Sequence, residues 1–280
     1  MRYGIGFAAL AVLVAQETGV IRVPVRLVAV PTLVYSRENK LIPGLKKSDF
    51  RIVDNGVPQV VDLDSDDAPV SVVIAIQTNL DMRGPVRYIT KVGSVMDAHL
   101  VGATGRAAVM TYGGTMKVLK PFGTGDVRAA FRSVAVKGSR ARTIDAGMEA
   151  IGMLKERPRA HARVLLFIGQ AADHGSEATW AALEHEADRE NVSIYALNCA
   201  DGRTGPLAPL ITATGGTELT FHSQAELEDA IGMLGVELRS AYLLSYYPSS
   251  EEVGRHTISV EVSVPGARTH ARPGYILSPN

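Results

Sequence analysis

The stretch that decides the fold is residues 70–76, Val-Ser-Val-Val-Ile-Ala-Ile, which runs directly into the polar string Gln77-Thr78-Asn79-Leu80-Asp81. A short, nearly continuous apolar run is typical of a parallel strand that helices cover on both faces. In an open α/β sheet, ligands bind just beyond the carboxyl ends of such strands. The sequence therefore predicts a functional edge where this strand ends.

A second apolar run, residues 164–168, leads in the same way into a polar segment that contains Gln170 and Asp173. The segment Ala141-Arg142-Thr143-Ile144-Asp145 lies between the two runs. Because parallel strands end at one edge of a sheet, these segments are expected to meet there. The candidate partner-binding residues at this edge are Gln77, Asn79, Asp81, Arg142, Thr143, Gln170 and Asp173.

These segments resemble the metal-binding edge of a von Willebrand factor type A (VWA) domain, and more narrowly that of the VWFA-related domain proteins common in Acidobacteria. In that family, Asp-x-Ser-x-Ser followed by Met, a Thr from the middle loop and a distal Asp form the metal-ion-dependent adhesion site. Here Gln77 and Gln170 stand where the two Asp would be. Asn79 and Asp81 stand where the two Ser would be, and Met82 matches the family pattern.

The departures from the family pattern predict a degenerate site that holds no metal ion and no other cofactor. Mg²⁺ and Ca²⁺ prefer anionic oxygen ligands, but two carboxylates are replaced by neutral amides and only Asp81 is added. At an effective dielectric constant near 20, each charge lost at about 4 Å removes roughly 4 kcal/mol per unit of cation charge. We therefore expect the affinity for a divalent cation to fall by several orders of magnitude.

The middle loop leaves two alternatives open, because either Thr143 or Arg142 can occupy the ligand position that the family gives to Thr. If Arg142 occupies it, its guanidinium group is expected to pair with Asp81 and replace the charge of the cation. In the other alternative, Arg142 points into solvent and Thr143 is an ordinary loop residue.

The predicted fold class is α/β: a doubly wound, mostly parallel, VWA-like sheet inserted in a small β-sandwich. Strand and helix patterns alternate over residues 69–240, including an apolar helical stripe over residues 86–100. Residues 16–68 and 241–280 instead alternate apolar and polar side chains with period two, which indicates that the two ends pair to form the sandwich. The resemblance implies the same arrangement over nearly all of the mature chain.

The first 15 residues have the layout of a short secretory signal peptide, with Arg2, an apolar stretch and then Ala15. We therefore expect the protein to be secreted or periplasmic; a hydrophobic N-terminal strand or a wrongly assigned start is the alternative. No other apolar run reaches the 18 or more residues of a membrane span. The 29 basic and 29 acidic residues balance, which gives no indication of binding to nucleic acid.

Catalytic motifs are not apparent in the sequence. It lacks a Gly-x-Ser-x-Gly elbow, a P-loop and a Gly-x-Gly-x-x-Gly motif, and the single cysteine, Cys199, gives no zinc spacing. Asp173 and His174 could act as an acid–base pair beside the predicted edge, although side chains at a strand end also cap helices. The acidic residues 62–67 are interpreted as a solvated linker.

We therefore expect a non-enzymatic, adhesion-type module that binds a protein or cell-surface partner through the edge of the sheet, without metal. Fold alone does not determine function, so this expectation rests on the resemblance. Two alternatives remain open: a hydrolase that uses Asp173, His174 or Asp81 as acid–base groups, and a purely structural protein of the cell envelope.

Overall fold

The computed structural model describes residues 27–63, 69–102, 105–123, 126–158, 161–170, 172–200, 205–250 and 252–277. The predicted signal peptide and residues 64–67 of the acidic segment lie outside these ranges. Over the described ranges the chain forms a six-stranded sheet and two four-stranded sheets. No helix in this part of the chain is both long and apolar enough to cross a membrane.

The strands are β1 (Val28–Tyr35), β2 (Phe50–Asp54), β3 (Val57–Pro58), β4 (Asp62–Leu63), β5 (Val70–Gln77), β6 (Arg106–Tyr112), β7 (Lys117–Lys120), β8 (Ala162–Gly169), β9 (Val192–Asn198), β10 (Glu218–Thr220), β11 (Tyr242–Tyr246), β12 (Gly254–Val262), β13 (Arg268–His270) and β14 (Gly274–Leu277). The helices are α1 (Val86–Ile89), α2 (Gly93–Met96), α3 (Val127–Arg132), α4 (Thr143–Lys155), α5 (Trp180–Arg189), α6 (Leu207–Ala213) and α7 (Gln224–Ser240). Short 3₁₀ turns cover Lys47–Asp49 and Leu80–Arg83, and a π-helical turn covers Asp97–Val101.

The central sheet has the strand order β10-β9-β8-β5-β6-β7. The quoted run forms β5, which pairs in parallel with β8 on one side and β6 on the other, and all eight of its residues are buried. Only β7, at the edge, pairs antiparallel. The predicted fold class is therefore confirmed, and the carboxyl ends of β5 and β8 lie side by side.

Helices cover both faces of the central sheet, which explains why β5 has no polar face. Ile74 and Ile76 belong to a core with α1, α2, α3 and α7. Val73 and Ala75, on the opposite face, belong to a second core with α4, α5 and α6. Because side chains alternate across a strand, a strand buried in this way must be apolar at every position until it ends.

The predicted helical stripe over residues 86–100 is buried, but it does not form one helix. The chain divides there into α1, α2 and the π-helical turn. At Gly93, a Cβ atom would lie 2.8 Å from the Cα atom of Arg128 and 2.9 Å from the Cβ atom of Phe131. The close approach of α3 thus requires glycine at the start of α2, and the apolar periodicity alone did not indicate this break.

Both ends of the chain contribute strands to the β-sandwich. One sheet has the order β13-β1-β11-β4 and the other β14-β12-β2-β3. Across the two chain ends, Val30 pairs with Leu244 and Ile52 pairs with Val260. The apolar side chains of the two sheets form one common core, so neither end could bury its apolar face without the other.

A buried polar cluster lies in the sandwich. His256 Nδ1 is 2.8 Å from Asp54 Oδ1, and His256 Nε2 is 2.7 Å from the carbonyl oxygen of Glu252. The hydroxyls of Tyr246 and Tyr275 each donate to Asp54 Oδ2 at 2.9 Å. Burial alone would lower the pKa of His256, but its hydrogen bonds to Glu252 and Asp54 and the charge of Asp54 raise it. Both imidazole nitrogens face acceptors, which favours the charged imidazolium form.

A buried ion pair joins the sandwich to the α/β part of the chain. The guanidinium group of Arg272, which precedes β14, donates to Asp188 on α5, and each side chain is 3% exposed. The second carboxylate oxygen of Asp188 accepts the backbone N–H of Ile276 at 3.0 Å. Close by, Asn191 hydrogen-bonds to the backbone of Leu27 and Ala29 at the start of β1. The end of α5 and the residues after it therefore contact both sheets of the sandwich.

We expect the free energy of unfolding to fall as the pH rises through the pKa of His256 in the folded protein. This pKa is raised above the unfolded value of about 6.5, so the stabilisation is complete below that value and is lost above the folded-state pKa. Urea unfolding of the full chain from about pH 6 to 9 measures this slope. His256→Gln should flatten it, whereas His174→Gln, at an exposed position, should not; an unchanged slope in His256→Gln would contradict the assignment.

Candidate functional site

The candidate site lies at the carboxyl end of β5, beside the end of β8 and the start of α4. The side chains of Gln77 and Asn79 are buried although they are polar, at 0% and 1% exposure. Asp81 follows in the 3₁₀ turn and is exposed to solvent. The buried strand thus ends in two amides that have no access to water and one carboxylate that has.

Hydrogen bonds connect these side chains into a relay. The backbone N–H of Gln170 donates to Gln77 Oε1 at 2.7 Å. Gln77 Nε2 donates to Asn79 Oδ1 at 2.7 Å, and Asn79 Nδ2 donates to Asp81 Oδ2 at 2.7 Å. We call this chain of three hydrogen bonds the amide relay.

The direction of the amide relay is determined at both of its ends. A backbone N–H can only donate and an ionised carboxylate can only accept, so Gln77 Oε1 must face Gln170 and Asn79 Nδ2 must face Asp81. The amide orientations of both side chains follow from this constraint. Two buried amides are thereby satisfied, which avoids the cost of leaving a buried polar group without a partner.

Gly169 makes the amide relay sterically possible. A Cβ atom at this position would lie 2.4 Å from Gln77 Oε1 and 2.6 Å from Gln77 Cβ. The last residue of β8 must therefore be glycine if the long Gln77 side chain is to turn toward the Gln170 amide. Sequence reasoning did not single out Gly169, although its place directly before Gln170 was the available signal.

The donor set of this edge does not fit a divalent cation, which needs several free oxygen ligands. The side-chain oxygens of Gln77 and Asn79 already accept hydrogen bonds within the amide relay. The Thr143 hydroxyl donates to the carbonyl oxygen of Ala172 at 2.5 Å. Asp81 remains as the one exposed carboxylate of the relay, and no cluster of three or more His, Cys, Asp or Glu suited to a metal occurs among the described residues.

Arg142 does not pair with Asp81, so that expectation was wrong. Its Nε atom donates to Asp145 Oδ2 at 2.8 Å and its Nη2 atom contacts Glu177 Oε1 at 3.2 Å. With its side chain 28% exposed, Arg142 does not simply point into solvent either. Thr143 begins α4 and is buried, so Arg142, which precedes it, is directed along the outside of the helix. Asp145, three residues after Arg142, is within reach there.

Several donors hold Asp145 in its ionised form. The backbone N–H groups of Glu177 and Ala178 donate to its carboxylate at 3.0–3.2 Å, together with Arg142. Burial alone would raise the pKa of Asp145, but these hydrogen bonds and the Arg142 charge lower it. The hydrogen bonds from Glu177 and Ala178 and the contact of Arg142 with Glu177 therefore fasten the loop that follows β8 to the first turn of α4.

Asp173 caps the amino end of α4. Its carboxylate accepts the backbone N–H of Ile144 at 3.1 Å and both the N–H and the hydroxyl of Ser176, at 3.3 and 2.5 Å. The Ser176 hydroxyl oxygen in turn accepts the backbone N–H of Asp145 at 3.2 Å. Residues from a distant loop thus satisfy the first amides of α4, whose N-cap residue makes no side-chain cap. His174 is exposed, and its backbone N–H bonds to Ala141.

Comparison with solved structures identifies the fold as that of a VWA domain. A von Willebrand factor type A protein from Catenulispora acidiphila matches 93% of this chain and 76% of its own, at 10% identity and a TM-score of 0.52. An aerotolerance-related membrane protein from Bacteroides fragilis matches 60% of this chain and 99% of its own, at 13% identity and a TM-score of 0.46. BatB from Bacteroides thetaiotaomicron matches 60% of this chain and 98% of its own, at 13% identity and a TM-score of 0.46.

The likeness to the Catenulispora acidiphila protein confirms the predicted VWA resemblance at the level of the fold. Neither a family model nor a curated protein matches the sequence. The narrower resemblance to VWFA-related proteins of Acidobacteria, with its altered metal-site residues, stays a prediction.

We expect Arg142 to be energetically coupled to Asp145 and not to Asp81. In a double-mutant cycle with alanine substitutions, the Arg142–Asp145 pair should show a coupling energy of about 1 kcal/mol, because the two side chains share an ion pair. Arg142→Ala and Asp81→Ala should add to within about 0.5 kcal/mol, since they share no hydrogen-bond partner. Urea unfolding provides the free energies, and strong coupling of Arg142 to Asp81 would contradict the observed geometry.

Proposed function

We propose that this chain, whose α/β part has the VWA fold, is a non-enzymatic protein-interaction module of the adhesion type. In this proposal it binds a protein or cell-surface partner through the carboxyl edge of the sheet, without a bound metal ion. The amide relay carries the proposal. It holds Gln77, Asn79 and Asp81 in one arrangement through internal hydrogen bonds and leaves the Asp81 carboxylate exposed.

The proposal has a consequence for the chemistry of the partner. In the metal-dependent version of this edge, a partner carboxylate completes the coordination of the cation. Without a cation, an exposed carboxylate such as Asp81 would repel a partner carboxylate and attract a hydrogen-bond donor or a cationic group. Because the relay already fixes the side chains, little conformational entropy is lost when the partner binds. The contact therefore resembles a preformed polar surface that accepts hydrogen bonds.

The contacts of the hydroxyl groups beside Asp173 support the interaction role over a hydrolase. A nucleophilic serine or threonine needs a neighbouring base that takes up its proton. The Thr143 hydroxyl donates to a backbone carbonyl oxygen and the Ser176 hydroxyl donates to Asp173, which caps α4. Neither hydroxyl hydrogen-bonds to a histidine among the described residues. A catalytic role would require the hydrogen bonds of these two hydroxyls to break before each turnover.

The proposal places the protein in the periplasm or outside the cell. This part rests on the sequence of residues 1–15, with its apolar stretch after Arg2 and its small residue Ala15. A purely structural role in the envelope would need no specific contact at Asp81, so the partner experiment below separates it from the proposed function.

The full chain should bind Mg²⁺, Mn²⁺ and Ca²⁺ no more tightly than millimolar at the sheet edge, because the oxygens of the edge are engaged and two family carboxylates are missing. Isothermal titration calorimetry measures this directly. A variant that restores the family residues, Gln77→Asp, Asn79→Ser, Asp81→Ser and Gln170→Asp together, should gain binding. Micromolar binding by the unaltered chain that Asp81→Ala abolishes would contradict the metal-free proposal. A restored variant that folds but binds no cation would contradict the correspondence between these four residues and the family's metal ligands.

A partner from an envelope extract should be retained by the immobilised full chain in the presence of a chelator. Retention should fall at least about tenfold for the Gln77→Ala, Asp81→Ala, Gln170→Ala triple variant, and Asp81→Asn should test the charge alone. The matched control is Arg51→Ala with Glu261→Ala, an exposed ion pair on the sandwich. Equal retention by all variants would contradict binding through the edge, and loss of retention in chelator would contradict the absence of metal.

A further inference from the structure

A large cleft lies on the side of the molecule formed by α7, away from the amide relay. Its volume is about 1140 Å³. Met233 and Val236 line it from α7, and Tyr35 and Leu41, at the end of β1 and in the segment that follows, line it from the sandwich. We call it the α7 cleft. It spans the junction between the two parts of the fold.

The helix α7 is apolar on two faces, although only one of them belongs to the core. Leu227, Ile231 and Leu234 are buried against the central sheet. Met233 and Val236, which line the α7 cleft, are 56% and 48% exposed. Large apolar side chains grouped in a concave surface are typical of a contact site. The second face of α7 therefore lacks a cover among the described residues.

The α7 cleft also carries a surplus of negative charge. Glu228, Asp229 and Glu237 line it, and none of them forms an ion pair with a cationic side chain in the described part of the chain. The guanidinium group of Arg239, which also lines the cleft, is used in a hydrogen bond to the carbonyl oxygen of His99. Glu237 accepts a hydrogen bond from Thr217 at 2.7 Å. Burial raises the pKa of its carboxyl group, and this hydrogen bond and the nearby charge of His270 offset only part of that rise. A bound cation would favour the ionised carboxylate.

The spacing along α7 indicates which kind of ligand matches the cleft. Asp229, Met233 and Glu237 follow one another at intervals of four residues, so the two acidic residues are about 12 Å apart along the helix. In an extended polypeptide, alternate side chains share a face, and residues four apart are separated by about 13 Å. A segment with basic residues at its first and fifth positions and an apolar residue at its third therefore matches this helix face.

We propose that the α7 cleft is a second docking surface, which takes an extended segment of a partner polypeptide with an apolar side chain between two basic ones. The apolar residue packs against Met233, and the basic residues lie next to Asp229 and Glu237. A positive charge at each end of the ligand distinguishes a polypeptide segment from a compact molecule with one cationic group. This surface is separate from the amide relay and does not depend on the function proposed for it.

The test uses peptides of defined chemistry and the full chain. The first probe is acetyl-Lys-Ser-Leu-Ser-Lys-amide; the second replaces both Lys with Glu, and the third replaces Leu with Ser. Titrations followed by amide chemical shifts of the ¹⁵N-labelled protein should show saturable binding of the first peptide. The shifts should be confined to α7, residues 35–41 and the other residues that line the cleft, Val95, His99 and Leu219. The other two peptides should bind at least about tenfold more weakly, because the second lacks the basic side chains and the third lacks the apolar one.

Gly232 offers a variant that blocks the cleft without disturbing the fold. It lines the α7 cleft, and a Cβ atom there would meet no other atom within 4 Å. Gly232→Leu should therefore fill the space, favour the helix and weaken binding of the first peptide at least about tenfold. Gly152→Leu on α4 is the matched control, because Gly152 is equally open and lies outside the cleft. Glu237→Gln should weaken binding of the basic peptide and leave binding of the acidic peptide unchanged.

Three results would overturn the proposal. The first is the absence of saturable binding of the basic peptide at millimolar concentration. The second is equal binding of the basic and acidic peptides, or an affinity that Gly232→Leu does not change. The third is binding of n-octylammonium, a small cationic amphiphile, in the cleft without binding of the basic peptide, which would assign the α7 cleft to a small molecule.

Discussion

The arrangement of the site depends on one constraint: the central strand ends in amides that are buried and still need hydrogen-bond partners. Gln77 and Asn79 have no contact with water, so the protein itself must supply a donor and an acceptor. The backbone N–H of Gln170 and the carboxylate of Asp81 do so, one at each end of the relay. Gly169 provides the necessary space. Internal hydrogen bonds thereby hold the three side chains of the amide relay in one arrangement.

The same requirement for partners explains how the two parts of the fold are joined. Asp54 is buried in the sandwich and is satisfied by two tyrosine hydroxyls and by His256. Arg272 and Asp188 are buried at the junction and satisfy one another. Replacing one member of such a pair leaves the other buried without a partner. This costs more free energy than the intact pair contributes to stability. Interactions of this kind make the relative position of the two parts specific.

Much of the fold could be predicted from the sequence because apolar periodicity reports burial directly. The run at residues 70–76 indicated a strand covered on both faces, and the period-two segments indicated the sandwich. Polar side chains were harder to predict, since their direction depends on neighbours that are distant in sequence. Arg142 turns toward Asp145 because Thr143, not Arg142, begins α4 on the buried side.

Three further features lay beyond what the sequence could show. Asp173 caps α4, which precedes it by a whole strand, and not the helix that follows it; only the tertiary structure brings the two together. The helical stripe at residues 86–100 divides into α1, α2 and a π-helical turn, and this division leaves no trace in the apolar periodicity. The α7 cleft was missed for the same reason, since its walls come from segments almost 200 residues apart.

The position of β1 has a mechanical consequence for the fold. This strand lies between β11 and β13 and is antiparallel to both. Tension applied at Leu27 along the strand axis would act on its ladder hydrogen bonds in shear, so that several must rupture together instead of opening one after another. In the proposed function, load from a partner at the carboxyl edge of the central sheet would reach the β-sandwich through the junction at Asp188 and Arg272. The β-sandwich thus has the geometry of an anchor that resists traction.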